Sequence, residues 1–81
     1  MEIRTSDLYC ASYIFAKGGE LKEVELSNGG GRQRAEFVLV GEDVHRLERL
    51  FQSGRAMVDL KTFKTSLNHL KDVMFQKIRN R

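Results

Sequence analysis

Polar and apolar positions divide the chain into stretches of different period. Glu2-Ile3-Arg4 is a short extended lead-in. From Leu8 to Ala16 nothing is charged, and only Ser12 and the hydroxyls of Tyr9 and Tyr13 are polar. Thr5, Ser6 and Asp7 before this run are good caps and Gly18-Gly19 after it are good stops. The pattern therefore predicts a helix from about Asp7 to Lys17, capped by Thr5 or Ser6. In "ELKEVELS", Val24 and Leu26 alternate with Glu23 and Glu25, the period of a half-buried strand. "NGGG" reads as a turn and "RAEFVLV" as a second strand. Phe37 and Leu39 lie on one side of that strand and Val38 and Val40 on the other, which predicts cover on both faces of its C-terminal half.

Glu42 and Asp43 suit a helix start, Val44, Leu47, Leu50 and Phe51 form one face, and Gly54 ends the segment. "RAMVD" is a short extended link that ends in Asp59, a good N-cap. From Leu60 to Arg79 the period is helical: Leu60, Phe63, Leu67, Leu70, Met74 and Ile78 fall in a stripe about 80° wide. The predicted order is β-α-β-β-α-(β)-α over residues 1–81, a single α+β domain with a small antiparallel sheet of two or three strands packed with three helices. So small a sheet needs a helix on its face. The uncharged first helix is the best candidate, lying between the sheet and the other helices. The alternative is that Tyr9 and Tyr13, at i and i+4, form an exposed partner surface.

Composition narrows the class. The chain has 81 residues, 41% hydrophobic and 31% charged, which is globular rather than disordered. A domain of this size buries only about 60–65% of its unfolded surface, so a partner could belong to the folded unit. The one cysteine, Cys10, excludes an internal disulfide. The uncharged run is about half the length that spans a bilayer, and Glu2 and Asp7 precede it where a signal peptide would be basic. A cytoplasmic protein without membrane contact is expected. The net charge of +3 is uneven. Residues 59–81 carry six basic and two acidic side chains (+4), and residues 1–58 carry eight and nine (−1). Electrostatic partners should therefore meet the C-terminal segment.

Three stretches carry a resemblance: "RTSDLYCASYIFAKGGEL", a hairpin ending in "AEFVLVGE", and "GRAMVDLKTFKTSLNHLKDVMF". In order and spacing, from Arg4 to Phe75, they resemble a family of small uncharacterised domains encoded in bacterial and phage genomes. Its members begin with a T-S-D-L-Y-like helix start, end that helix in K-G, and close with a V-D…F…L…L-K helix. The chain departs from the pattern in its longer "SNGGGRQR" turn and in Cys10, where an aliphatic residue is expected. The resemblance implies a bacterial or mobile-element origin and transfers no activity or functional residue.

Candidate chemistry is sparse. Gly29-Gly30-Gly31 joins two strands, whereas phosphate loops join a strand to a helix N-terminus, so a hairpin turn is expected. His45, His69 and Cys10 have no metal-ligand spacing. Glu42 and Asp43 are explained by the helix dipole. Cys10 sits mid-helix among apolar neighbours, where a buried free thiol is the default. No cofactor, metal, small-molecule ligand or catalytic residue is inferred. The last helix is more informative. Beside its apolar stripe, a sector at about 20–100° on the helical wheel holds Lys61, Lys64, Asn68, Lys71, Phe75 and Arg79. Ammonium groups for phosphate with an aromatic for stacking suit a nucleic-acid surface, and Arg32 and Arg34 could extend it. The expected function is nevertheless a non-catalytic binding or adaptor protein. It would act through protein–protein contacts, with a homodimer as the simplest version and Tyr9, Tyr13, Val38 and Val40 as the interface. The alternative is a nucleic-acid-binding accessory protein using the basic helix face.

Overall fold

The computed structural model of the protein describes residues 1–29 and 31–80, and the side chains of Asn28 and Arg32 lie outside the description. Its elements are β1 (Glu2–Thr5), α1 (Leu8–Ala16), β2 (Glu20–Gly29), β3 (Arg32–Val40), α2 (Val44–Gln52) and α3 (Leu60–Arg79). This is the expected α+β architecture, with one element fewer. No strand forms between α2 and α3. In that link Ala56 and Val58 pack on the core and Met57 points to solvent. The segment thus alternates like a strand but has no neighbour to pair with.

The sheet has the order β1-β3-β2 and is antiparallel throughout. Its inner face carries Ile3, Leu21, Val24, Phe37 and Leu39, in register as Ile3↔Leu39↔Leu21 and Val24↔Phe37. Leu21 and Val24 are three residues apart, so strict alternation would put them on opposite faces. A register shift between Leu21 and Glu23 sets Lys22 outside the ladder and returns both apolar side chains to the core.

The helix α1 lies on this inner face with α2 on one side and α3 on the other. Five consecutive residues, Cys10 to Ile14, are buried, so the middle of the helix has no side left for water, and only Tyr9 near its start is exposed. Tyr13 meets Phe51 of α2 at 6.1 Å between ring centroids. Tyr9, one turn earlier, stacks on Phe63 at 6.4 Å, and Phe15 stacks on His69 at 5.3 Å, both partners from α3. The uncharged run is thus a central helix. Its cap is Asp7, one or two residues later than expected: Oδ1 accepts from the backbone N–H groups of Tyr9 and Cys10, while Thr5 Oγ1 accepts from the N–H of Asp7. Both α1 and α2 end alike. Gly18 (φ 107°) and Gly54 (φ 76°) adopt the left-handed conformation. In each case the next residue donates back across the last turn, Gly19 to Ile14 O and Arg55 to Leu50 O.

The helix α3 buries Ser66 and Leu70 fully and Phe63, Leu67, Val73 and Met74 partly. The buried face is turned by about 40° from the expected stripe, toward Ser66 and Val73. Leu60 (80% exposed) and Ile78 (36%) are left out of it. The reason is length. The nine residues of α1 span about 14 Å and the 20 residues of α3 about 30 Å, so both ends of α3 extend past the helix it packs on.

We expect Asp7→Ala to cost about 1 kcal/mol in urea unfolding and Ser6→Ala to be near neutral. A loss at Ser6 that equals the loss at Asp7 would contradict the cap assignment.

Candidate functional site

All six residues expected on the basic sector of α3 are exposed: Lys61, Lys64, Asn68, Lys71, Phe75 and Arg79. They share the side of the helix opposite Leu70. None of the four lysines and arginines forms an ion pair among the described residues. Phe75 is 50% exposed, and Leu60 and Ile78 border the same face. At its start Tyr9 lies against Phe63 and keeps 58% of its surface in water. The result is a long exposed strip with lysines along its middle and apolar side chains toward both ends.

Of the two arginines of β3, Arg34 does not join this strip. Arg34 pairs with Ser27 in register and alternates with the inward Ala35, which puts it on the outer face of the sheet, away from the helices. The side chain of Arg32 lies outside the described residues.

Two members of the expected protein interface are corrected. Tyr13 is 2% exposed, closed off by Phe51, and Val38 is 0% exposed. Val38 does face away from the helices, but the chain covers it without help from another element. Arg4 stands beside it in register, and its Nη1 donates to both carboxylate oxygens of Glu25, to Oε2 at 2.6 Å. Glu2 accepts from Lys22 at 3.2 Å across the same face. These long side chains roof Val38 with their stems. Hydrogen bonding to Arg4 holds the Glu25 carboxyl below its ordinary range. Val40, beside Gly41, stays half-buried and Tyr9 exposed.

A second charged surface follows from this register. Glu2, Glu20, Glu23, Glu25 and Glu36 share the outer face of the sheet with Arg4, Lys22 and Arg34. Glu20, Glu23 and Glu36 have no ion-pair partner among the described residues. At the β2 edge, a recess of about 530 Å³ is lined by Glu23, Glu25, Ser27, Glu36 and Lys77. The signal for this face was present as glutamates at alternating positions, but only the bulge at Lys22 puts Glu20 and Glu23 on the same side. A smaller recess of about 240 Å³ lies between the end of α1 and the start of α2, lined by Lys17, Gly18, Gly41, Glu42 and Asp43.

The remaining chemical groups are dispersed. His45 and His69 are exposed on different helices, and Cys10 is buried on α1. Among the described residues no three of His, Cys, Asp and Glu come together as a metal site would require, and no helix is long and apolar enough to cross a membrane. The glycine run joins β2 to β3, which pair as far as Gly29↔Arg32; Gly30 lies outside the described residues. Burial, with the nearby charges of Glu48 and Asp7, pushes the Cys10 thiol up to about 11. At neutral pH it is a protonated packing group.

Compared with protein-family models, curated proteins and solved structures, the chain matches none significantly.

The raised thiol has a consequence for stability. The folded state holds this proton more tightly than the unfolded state, so the stabilisation is complete below the unfolded value near 9 and is lost as pH rises toward 11. Urea unfolding should register a decline of about 2–3 kcal/mol across that window. Cys10→Ala should flatten that part of the slope, and an unchanged slope would mean that the thiol titrates as in the open chain.

Proposed function

We propose that the protein is a non-catalytic binding protein, of bacterial or phage origin, that acts through protein–protein contacts on the outer face of α3. The observation that carries this reading is the concentration of exposed apolar side chains there. Leu60, Phe75 and Ile78 lie on α3 itself, Tyr9 stacks beside its first turns, and Met57 precedes it at 80% exposure. Single exposed apolar residues need no explanation, but a row of them along one helix favours a contact surface. Aromatic residues at such a surface supply anchors, and the interleaved lysines supply orientation and selectivity. The notion of an interface on Tyr13 and Val38 is replaced by this one. Antiparallel pairing of β2 with another copy is disfavoured, because Glu23 and Glu25 would meet like charges.

A second reading is favoured by one specific observation. Lys61, Lys64, Lys71 and Arg79 flank Asn68 and Phe75 with no acidic side chain among them; Asp72 lies at the border of the sector. This arrangement suits phosphates and a stacked base.

One experiment separates the readings. Phe75 is replaced by benzoylphenylalanine and the protein is irradiated in its host, with a replacement at exposed Gln52 on α2 as control. Nuclease-resistant adducts specific to position 75 are expected. Nuclease-sensitive adducts would favour nucleic acid, and no adducts above the control would sink both readings.

A further inference from the structure

The outer face of the sheet and the outer face of α3 are separate surfaces with net charge of opposite sign: five glutamates against Arg4, Lys22 and Arg34 on the sheet, and four cations on α3. The helices cover the inner face of the sheet, and α3 turns its buried side toward α1 and β2. Lys61, Lys64, Lys71 and Arg79 therefore face solvent, and Glu20, Glu23 and Glu36 stand on the sheet face that the helices leave open. Among the described residues no ion pair joins the two sets. Lys77 lies on the sheet side of α3 and lines the recess with Glu23, Glu25 and Glu36.

Resting on the reading that the outer face of α3 is the working surface, we propose that its occupant is the acidic outer sheet face of a second copy of this chain, so that copies add head to tail. Charge decides between the ways two copies can meet. A symmetric contact of sheet against sheet sets carboxylates against carboxylates. A symmetric contact of α3 against α3 sets lysines against lysines. The sheet face carries five glutamates against Arg4, Lys22 and Arg34, so only the unlike contact brings together faces of opposite net charge, and complementary potential is what selects register between docking surfaces. Such a contact uses different patches on the two copies, so it continues beyond two unless the rotation closes a ring. Leu60, Phe75 and Ile78 add apolar area at the border of the contact, while Arg4 and Glu25 remain paired on the opposite side.

The test is sedimentation of the purified full chain across protein concentration, at about 20 mM and about 500 mM salt. At low salt the average mass should rise continuously with concentration, and at high salt it should return to 9.3 kDa. Lys64→Glu with Lys71→Glu should abolish the rise, and so should Glu20→Lys with Glu23→Lys, with circular dichroism confirming that each variant folds. Mixed in equal amounts, the two variants should associate with each other. A wild-type mass fixed at the monomer, a plateau at the dimer, or variants that fail to complement while folded would each overturn the proposal. Failure here with protein adducts still formed at position 75 leaves the contact face standing with a different partner. Absence of those adducts removes the contact face itself.

Discussion

The structure depends on a nine-residue helix whose middle five residues are buried on every side. A helix this short is not stable alone in water, and neither is a three-stranded sheet without a cover on its apolar face. Each supplies what the other lacks. Phe37 and Leu39 need α1 above them, and Cys10, Ala11 and Ile14 need the sheet below and helices on both flanks. The aromatic pairs Tyr13–Phe51 and Tyr9–Phe63 fix those flanks. Because α1 is short and central, α3 cannot bury its whole length against it. The exposed apolar residues at the ends of α3 follow from this mismatch.

The other face of the sheet is solved differently. In β3, Val38 opposes the pattern of a one-sided sheet, and no helix covers it. Ion-paired side chains from both neighbouring strands close over it instead. Exposed ion pairs contribute little individually, and their value here lies in holding long stems across a valine. The same choice fills the outer face with glutamates, more than the nearby cations neutralise. Burying one apolar side chain by this route thus produces a charged surface, which links core packing to recognition.

Much of this was legible in the sequence. Alternation in β2, the cap at Asp59 and the period of α3 lead to the right elements in the right order, and the uncharged run leads to a central helix. Three features were not. Thr5, Ser6 and Asp7 are all competent caps, and which one acts is settled by where the chain turns out of β1. Apolar residues on both sides of β3 imply cover but not its source, so Val38 and Tyr13 looked available when neighbours in space had already enclosed them. The stripe on α3 was read as if the helix were buried from end to end, whereas burial depends on the length of α1, an element some fifty residues away in the chain. The basic sector was readable because it needs only helical geometry. The acidic face was not, because a one-residue bulge determines which glutamates share it.

Among the described residues Lys61, Lys64, Lys71 and Arg79 form no ion pair, so their charge faces solvent. The glutamates of the sheet lie beyond the buried stripe of α3, and the one carboxylate within the helix, Asp72, stands only at the border of the sector. Lys77, on the near side, lines a recess with Glu23, Glu25 and Glu36 but forms no ion pair with them among the described residues. A nucleic acid and an acidic protein face satisfy the lysines equally well. They differ in what they offer Leu60 and Ile78, which have no base edge or phosphate to gain from but can be shielded by the side-chain stems and backbone of a protein surface. That asymmetry, more than the charge, is what the proposal of a protein partner on this face rests on.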